Sequence, residues 1–250
     1  MIDVHAHILP NIDDGSGSID ETFKMIGEAC DAGFSDIITT SHYIEETYNV
    51  NRLQRKQLIS AINAKLKEKN VNINIHNGAE IYASQNMADE IYDGTIPTLA
   101  NSRYVLFEIP MNSKILYLDR IIENLIGRLY VPIIAHPERY AIVQDNPNIV
   151  LNWINKGVLL QCNYGSLVGG YGNRAKKTII KLLNANAVHF LGTDCHNQNS
   201  IYTAMDEIKE AYYKIIGKEE FEKLSTKNPA CILNNVKIEI DEPKKIKRFF

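Results

Sequence analysis

The chain is predicted to fold as one α/β domain, a distorted TIM-like barrel of seven strand-helix units. Three observations carry this. Strand-sized apolar runs alternate with helical stretches seven times, which implies a mostly parallel sheet. The length, 250 residues, is the ~250 usual for a closed barrel of this kind. Histidines and carboxylates recur where those strands end, the face on which barrels collect their reactive groups.

The first strand is Ile2-Asp3-Val4-His5-Ala6-His7. Its histidines project from one face, because side chains in extended chain repeat every two residues. Asp13-Asp14-Gly15 follows in a loop, and Ser18-Ile19-Asp20-Glu21 has the form of a capping box. The helix behind it is marked by Phe23, Ile26 and Cys30 and ends near Gly33. A second strand, 36–40, delivers Ser41-His42, and a long polar-faced helix runs from about Val50 to Lys69. The third, 71–75, leads through Gly78, a bend that frees the backbone, to Glu80.

The fourth strand, 104–107, ends in Glu108, and a helix carrying Leu118, Ile121, Ile122 and Leu125 follows. The fifth, 131–135, ends in His136. The sixth is 158–162, before a helix from Lys176 to Ala185, and the seventh, 189–193, releases Asp194-Cys195-His196. Helical marks at Ile201, Met205, Ile208, Tyr212 and Ile215, then at Phe221 and Leu224, complete the body. No linker or low-complexity segment divides residues 1–250, and 236–250 is expected to be a C-terminal tail. Its basic cluster, Lys244-Lys245-Ile246-Lys247-Arg248, reads as solvated or loosely docked.

Composition narrows the function classes. Hydrophobic residues at 45% and charged residues at 23% suit a soluble enzyme. A net charge of -3 argues against nucleic-acid binding, which needs an excess of Lys and Arg to neutralise phosphates. The apolar runs are too short for membrane insertion, and Asp3 and His5 interrupt any signal-peptide core. Cys30, Cys162, Cys195 and Cys231 show no paired spacing, so neither a disulfide framework nor a zinc ribbon is expected. A reducing, cytoplasmic setting follows as the simplest expectation.

The expected metal ligands are His5, His7, Asp14, His42, Glu80, Glu108, His136, Asp194 and His196, all at strand ends except Asp14 in the first loop. Imidazole and carboxylate without thiolate suit borderline to hard divalent ions such as Mn, Fe or Zn, and affinity order alone does not choose among them; manganese is the preferred expectation. Nine ligand-type residues exceed the needs of one ion, so two or three ions are implied, with Glu80 bridging neighbours. Such a cluster acidifies water and stabilises displacement at phosphorus, which makes metal-assisted hydrolysis the expected reaction. Arg139 is expected to fork onto phosphate oxygens, its other reading being a salt bridge. His76 and His189 lie within strands and read as packed or hydrogen-bonded histidines rather than ligands. Six residues after the cysteines stand Asp36, Val168, Ile201 and Lys237. None is the arginine a cysteine-dependent phosphatase loop requires.

Asp3-x-His5-x-His7, Asp13-Asp14-Gly15, Thr40-Ser41-His42, Gly78-Ala79-Glu80-Ile81-Tyr82, Phe107-Glu108, Ala135-His136-Pro137-Glu138-Arg139-Tyr140 and Asp194-x-His196-Asn197 together form a pattern. The chain resembles the polymerase and histidinol phosphatase (PHP) superfamily from Met1 to about Asn235. Within it the chain is most similar to the bacterial manganese-dependent protein-tyrosine phosphatases of capsular and exopolysaccharide synthesis, with Ile96-Pro97-Thr98-Leu99 and Ser102-Arg103-Tyr104 as further marks.

The resemblance implies a PHP fold and three ions. One would be held by His5, His7, Glu80 and Asp194, a second by Glu80, Glu108 and His136, and a third by Asp14, His42 and His196. Arg139, Asp14 and His42 would be catalytic, with Arg139 on the phosphate. The implied partner is the phosphotyrosine tail of a bacterial tyrosine kinase, with homo-oligomerisation open; the alternative is a small-molecule phosphomonoesterase such as histidinol-phosphate phosphatase. One departure stands out. The branch carries a second phosphate-binding arginine soon after Asp-x-His-Asn, whereas 197–202 contains none, and Arg174 is the candidate substitute.

Overall fold

Nine short strands build the sheet of the described residues where seven were expected, because after a short break the second and third runs each resume as a further strand, at His42–Tyr43 and Glu80–Tyr82. They are β1 (Ile2–Ala6), β2 (Asp36–Thr39), β3 (His42–Tyr43), β4 (Asn74–His76), β5 (Glu80–Tyr82), β6 (Tyr104–Glu108), β7 (Val131–Ala135), β8 (Leu159–Asn163) and β9 (Phe190–Gly192). The structure is a computed structural model and describes residues 1–113 and 116–246. In it β1, β2 and β4 pair in parallel, and β3, β5, β6, β7, β8 and β9 form a second parallel set in that order.

Backbone hydrogen bonds carry the ladder across both breaks. Thr40 N–H donates to Ala6 O at 2.8 Å, and Glu80 N–H to Thr40 O at 2.9 Å. The ring closes where Ala6 bridges Cys195, with His7 N–H on Cys195 O at 2.9 Å and Asp194 N–H on His5 O at 2.7 Å. Counted through the breaks, seven strand lines curl into the expected barrel. Gly78 sits at the second break for a steric reason: a Cβ there would lie 3.0 Å from Ile38, Leu99 and Thr39 O.

The helices follow the sequence reading with shifts of phase. In α1 (Ile19–Asp31) Ser18 caps Glu21 N–H, and Glu21 reaches back to Gly17 N–H. Its buried face is Thr22, Met25, Ile26 and Ala29, so the expected marks Phe23 and Cys30 lie at its edge. A second helix, α2 (Arg52–Glu68), is capped by Asn51, whose side chain accepts from Leu53 and Gln54 N–H. Leu118, Ile121, Ile122 and Leu125 are all buried. The late helix begins at Gly172 rather than Lys176, so Arg174 stands in its first turn. Ile215 is exposed, beside Gly217, whose φ of 78° interrupts the helix Met205–Glu222.

Most of the core lies between sheet and helices, while a smaller cluster that includes Val4, Ile38, Leu106, Ile133 and Phe190 lies beneath the polar end of the strands. Along β6 the order Tyr104, Leu106, Glu108 shows why: alternate residues share a face, and the last is the carboxylate. From Val236 to Ile246 the chain has no regular structure, yet Ile238 and Ile246 are buried. Tyr104 donates to Val236 O (2.6 Å), and Asn148 brackets Ile246 through both its backbone groups. Lys247 and Arg248 of the basic cluster lie outside the described residues. No described helix is long and apolar enough to cross a membrane.

His189 is packed, as expected for a histidine away from the strand ends. It accepts Leu160 N–H on Nδ1 at 3.0 Å, which leaves the proton on a buried, unpartnered Nε2. Burial, aided by Lys223, holds its pKa down to about 4. The unfolded chain therefore takes up a proton first, so the stability His189 contributes is full above pH ~6.5 and is lost as pH falls towards 4. In urea unfolding at pH 7 and pH 5, wild type should lose about 2 kcal/mol more than His189→Gln. Equal pH slopes for the two proteins would remove this role.

Candidate metal centre

The polar end of the barrel gathers all nine expected ligand residues. Three backbone irregularities make this geometry. In β1 the register with β2 slips between Asp3 and Ala6, a bulge of the kind that re-aims side chains beside active sites. Asp3 thereby turns to Tyr202 and Thr193, which donate to its Oδ2 at 2.7 and 2.5 Å, while His5 and His7 turn to Glu80. His136 and Asp194 both have left-handed backbone, φ 35° and 55°, which few non-glycine residues adopt.

Glu80 is the hub. Its Oε2 lies 3.2 Å from His5 Nε2, 3.3 Å from His7 Nε2 and 3.2 Å from His42 Nδ1, and its Oε1 lies 2.8 Å from His136 Nε2. Three groups of ligand atoms converge to within 4.8 Å: His5, His7, Glu80 and Asp194; His42, Glu80 and Glu108; and His7, Asp14, His42 and His196. The first is the set the resemblance implied. In the second, His42 approaches Glu80 and Glu108, while His136 stands 3.9 Å from Glu108 Oε2. The third gains His7 and is the most open, since the Asp14 side chain is 53% exposed.

The donor set fits divalent ions. Glu80 Oε2 and His42 Nδ1 are buried without a hydrogen-bond partner, a costly arrangement that a shared cation relieves. Burial pulls the His5 imidazolium down, but Glu80 and Asp194 beside it hold the pKa up at about 9. Burial and the neighbouring Glu80 carboxylate push Glu108 up to about 8. Protons thus balance the surplus carboxylate charge, and metal binding to such sites displaces protons.

A buried polar shell holds the ligands. Asp13 accepts from His7 Nδ1 (2.7 Å) and from His42 N–H (2.8 Å), and Gln161 Oε1 lies 2.7 Å from His5 Nδ1. Gln161 donates to Asn163, which donates to Asp194 Oδ2 at 2.8 Å. Gly15 permits the first loop to close, since a Cβ there would stand 2.1 Å from His7 O. Sequence reasoning gave no role to Asp13, Gln161, Asn163 or Tyr171. A glutamine inside the apolar run 158–162 was the available signal.

Arg139 lies at the rim, its side chain 27% exposed. Its Nη1 donates to Asp194 Oδ2 at 2.7 Å, and its guanidinium stacks 4.5 Å above the Tyr171 ring. Tyr171 also donates to Asp194 Oδ2, at 3.2 Å. Arg174 is exposed and pairs with Asp145 at 2.6 Å, with no contact to the cluster. Burial pushes the Cys195 thiol up to about 12, which agrees with the absence of a cysteine-dependent phosphatase loop. His76 bonds Asp36 at 2.8 Å, at the opposite end of its strand line from Glu80.

Known proteins share this architecture. The family model for capsular polysaccharide synthesis, CpsB/CapC, matches residues 1–234. The tyrosine-protein phosphatase YwqE of Bacillus subtilis strain 168 is 30% identical over 251 residues, 99% of this chain and 97% of the relative. The putative tyrosine-protein phosphatase CapC of Staphylococcus aureus is 30% identical over 95% of this chain and 93% of its own. A crystal structure from work on YwqE of Bacillus subtilis and CpsB of Streptococcus pneumoniae, described as unique metal-dependent tyrosine phosphatases, superposes with a TM-score of 0.93 at 29% identity, covering 99% of this chain and 100% of that one. Histidinol phosphate phosphatase from Lactococcus lactis shares the fold alone, with a TM-score of 0.55 at 16% identity over 86% of this chain and 94% of that one. With its model matched across nearly the whole barrel, the chain belongs to the CpsB/CapC family.

Proposed function

We propose that this chain is a metal-dependent protein-tyrosine phosphatase that removes phosphate from the phosphotyrosine tail of a bacterial tyrosine kinase governing capsular or exopolysaccharide synthesis. One observation carries the reading: Glu80, buried, stands within 3.3 Å of four imidazole nitrogens. Nothing in the packing of a barrel requires that many ionisable groups in one place. The family match and the relatives' names support the substrate class, and the four free cysteines accord with a cytoplasmic setting.

His5, His7, Glu80 and Asp194 would hold one ion, Glu80 and Glu108 with His42 and His136 around them a second, and His7, Asp14, His42 and His196 a third. Manganese is the proposed metal. Ions bound there supply positive charge to phosphoryl oxygens and acidify water. The chain's own residues do the rest. Asp13 and Gln161 orient His7 and His5, and Arg139 offers a planar fork to phosphate at the open rim. Tyr171 supports that fork from beneath, and Asp194 holds it in place until an anion competes. Asp14, half exposed, stands 3.6 Å from His42 Nε2, and both are proposed to act with Arg139 in the reaction.

The decisive experiment compares a phosphotyrosine peptide with histidinol phosphate, after chelation and re-addition of Mn, Fe, Zn and Mg separately. Chelation should abolish peptide hydrolysis and manganese should restore it best; equal or faster turnover of the small metabolite would overturn the substrate reading. Glu108→Ala and His136→Ala should each lose activity while keeping the wild-type circular dichroism spectrum, because both residues end strands at the open face. Near-normal rates in either would remove that residue from the metal centre. Arg139→Ala should lower kcat/KM on the peptide by about 100-fold, and an unchanged value would leave Arg139 with only its salt bridge.

A further inference from the structure

Arg55 is the largest fully buried charged side chain of the described residues, and it lies on α2 rather than on a strand end. Its hydrogen-bond partners are all backbone carbonyls. Nη2 donates to His42 O at 2.6 Å, Nη1 to Ser41 O at 2.9 Å and Gly78 O at 3.4 Å, and Nε to Val50 O at 3.0 Å. Ser41 O and Gly78 O lie in the two strand breaks and His42 O on the first residue after one of them, where regular strand pairing is interrupted and backbone groups need other partners. The unbroken strands β6, β7 and β8 need no such staple.

The peptides of His42 are gripped from both sides. Its N–H donates to Asp13 Oδ2 at 2.8 Å, and its C=O receives Arg55. Gly78, two residues before Glu80, is tied to the same guanidinium. A planar fork with five donors suits this task, and a point charge such as lysine does not. We infer that Arg55 is a positioning residue for the metal centre: by clasping the carbonyls of both strand breaks it fixes where His42 stands against Glu80, and so sets the affinity of the His42-bearing sites. The inference rests on the metal-centre reading, so its test reports the two separately.

The test titrates zinc, a diamagnetic probe, into metal-free protein carrying ¹⁵N-labelled histidine, and follows each ring. In wild type the His5, His7, His42 and His196 signals should all respond. In Arg55→Lys, His42 and His196 should require about 10–100-fold more zinc, the usual cost of losing a residue that orients a ligand, while His5 fills at the wild-type concentration. Ile59→Ala, on the buried face of the same helix, should lower Tm without separating His42 from His5. Arg55→Lys with wild-type His42 titration, or with every histidine weakened alike, would overturn the inference. Absence of any response in wild type would sink the metal-centre reading, and this one with it. Should Arg55→Lys fail to fold, the guanidinium ¹⁵N signals of Arg55 in wild type labelled on arginine as well as histidine decide: they should shift in step with His42, and signals unmoved at zinc saturation would refute the role.

Discussion

The structure depends on one buried carboxylate, Glu80, held among four imidazoles. Placing a carboxylate in that interior is unfavourable unless cations or donors surround it. Four irregularities of the sheet near the open end serve this encirclement. The β1 bulge brings His5 and His7, the break after β2 brings His42, the break before β5 brings Glu80 itself, and the left-handed turn after β7 brings His136. An ideal barrel with straight strands would leave these groups pointing along separate lines.

How much of this was legible in the sequence follows from which signals are local. Strand ends were legible, because a short apolar run stopping at a histidine or carboxylate is a pattern of adjacent residues. The breaks were not. Residues 71–75 alternate like a strand, and Ile73 and Ile75 are indeed buried, but pairing begins only at Asn74 and stops at His76 because Asn77 and Gly78 turn away. Alternation reports burial, and burial continued where the hydrogen-bond ladder did not.

The polar shell was hidden for a different reason. Asp13 and Asp14 are neighbours of the same type, yet Asp13 is turned inward onto His7 while Asp14 stays half open. Loop closure over Gly15 decides between them, and that is a three-dimensional event. Arg55 is the extreme case: in the sequence it is one of several basic residues on a polar-faced helix, and only its depth separates it from Arg52 and Lys56.

The shell also settles which ring nitrogen each histidine presents. Asn163 donates to Asp194, so its Oδ1 faces Gln161 Nε2; Gln161 must then accept through Oε1, which makes His5 Nδ1 the donor. Asp13, an acceptor only, makes His7 Nδ1 a donor in the same way. Both residues therefore turn Nε2 towards Glu80, and the two Nε2 atoms lie 3.1 Å apart. Burial and the neighbouring His7 imidazole oppose a proton on His5 Nε2 at that separation, but the Glu80 and Asp194 carboxylates outweigh them and hold the His5 pKa up at about 9. A divalent ion held there would compete for the lone pairs those protons occupy, and with Nδ1 of both rings already donating, binding would require proton release but no rotation of either ring.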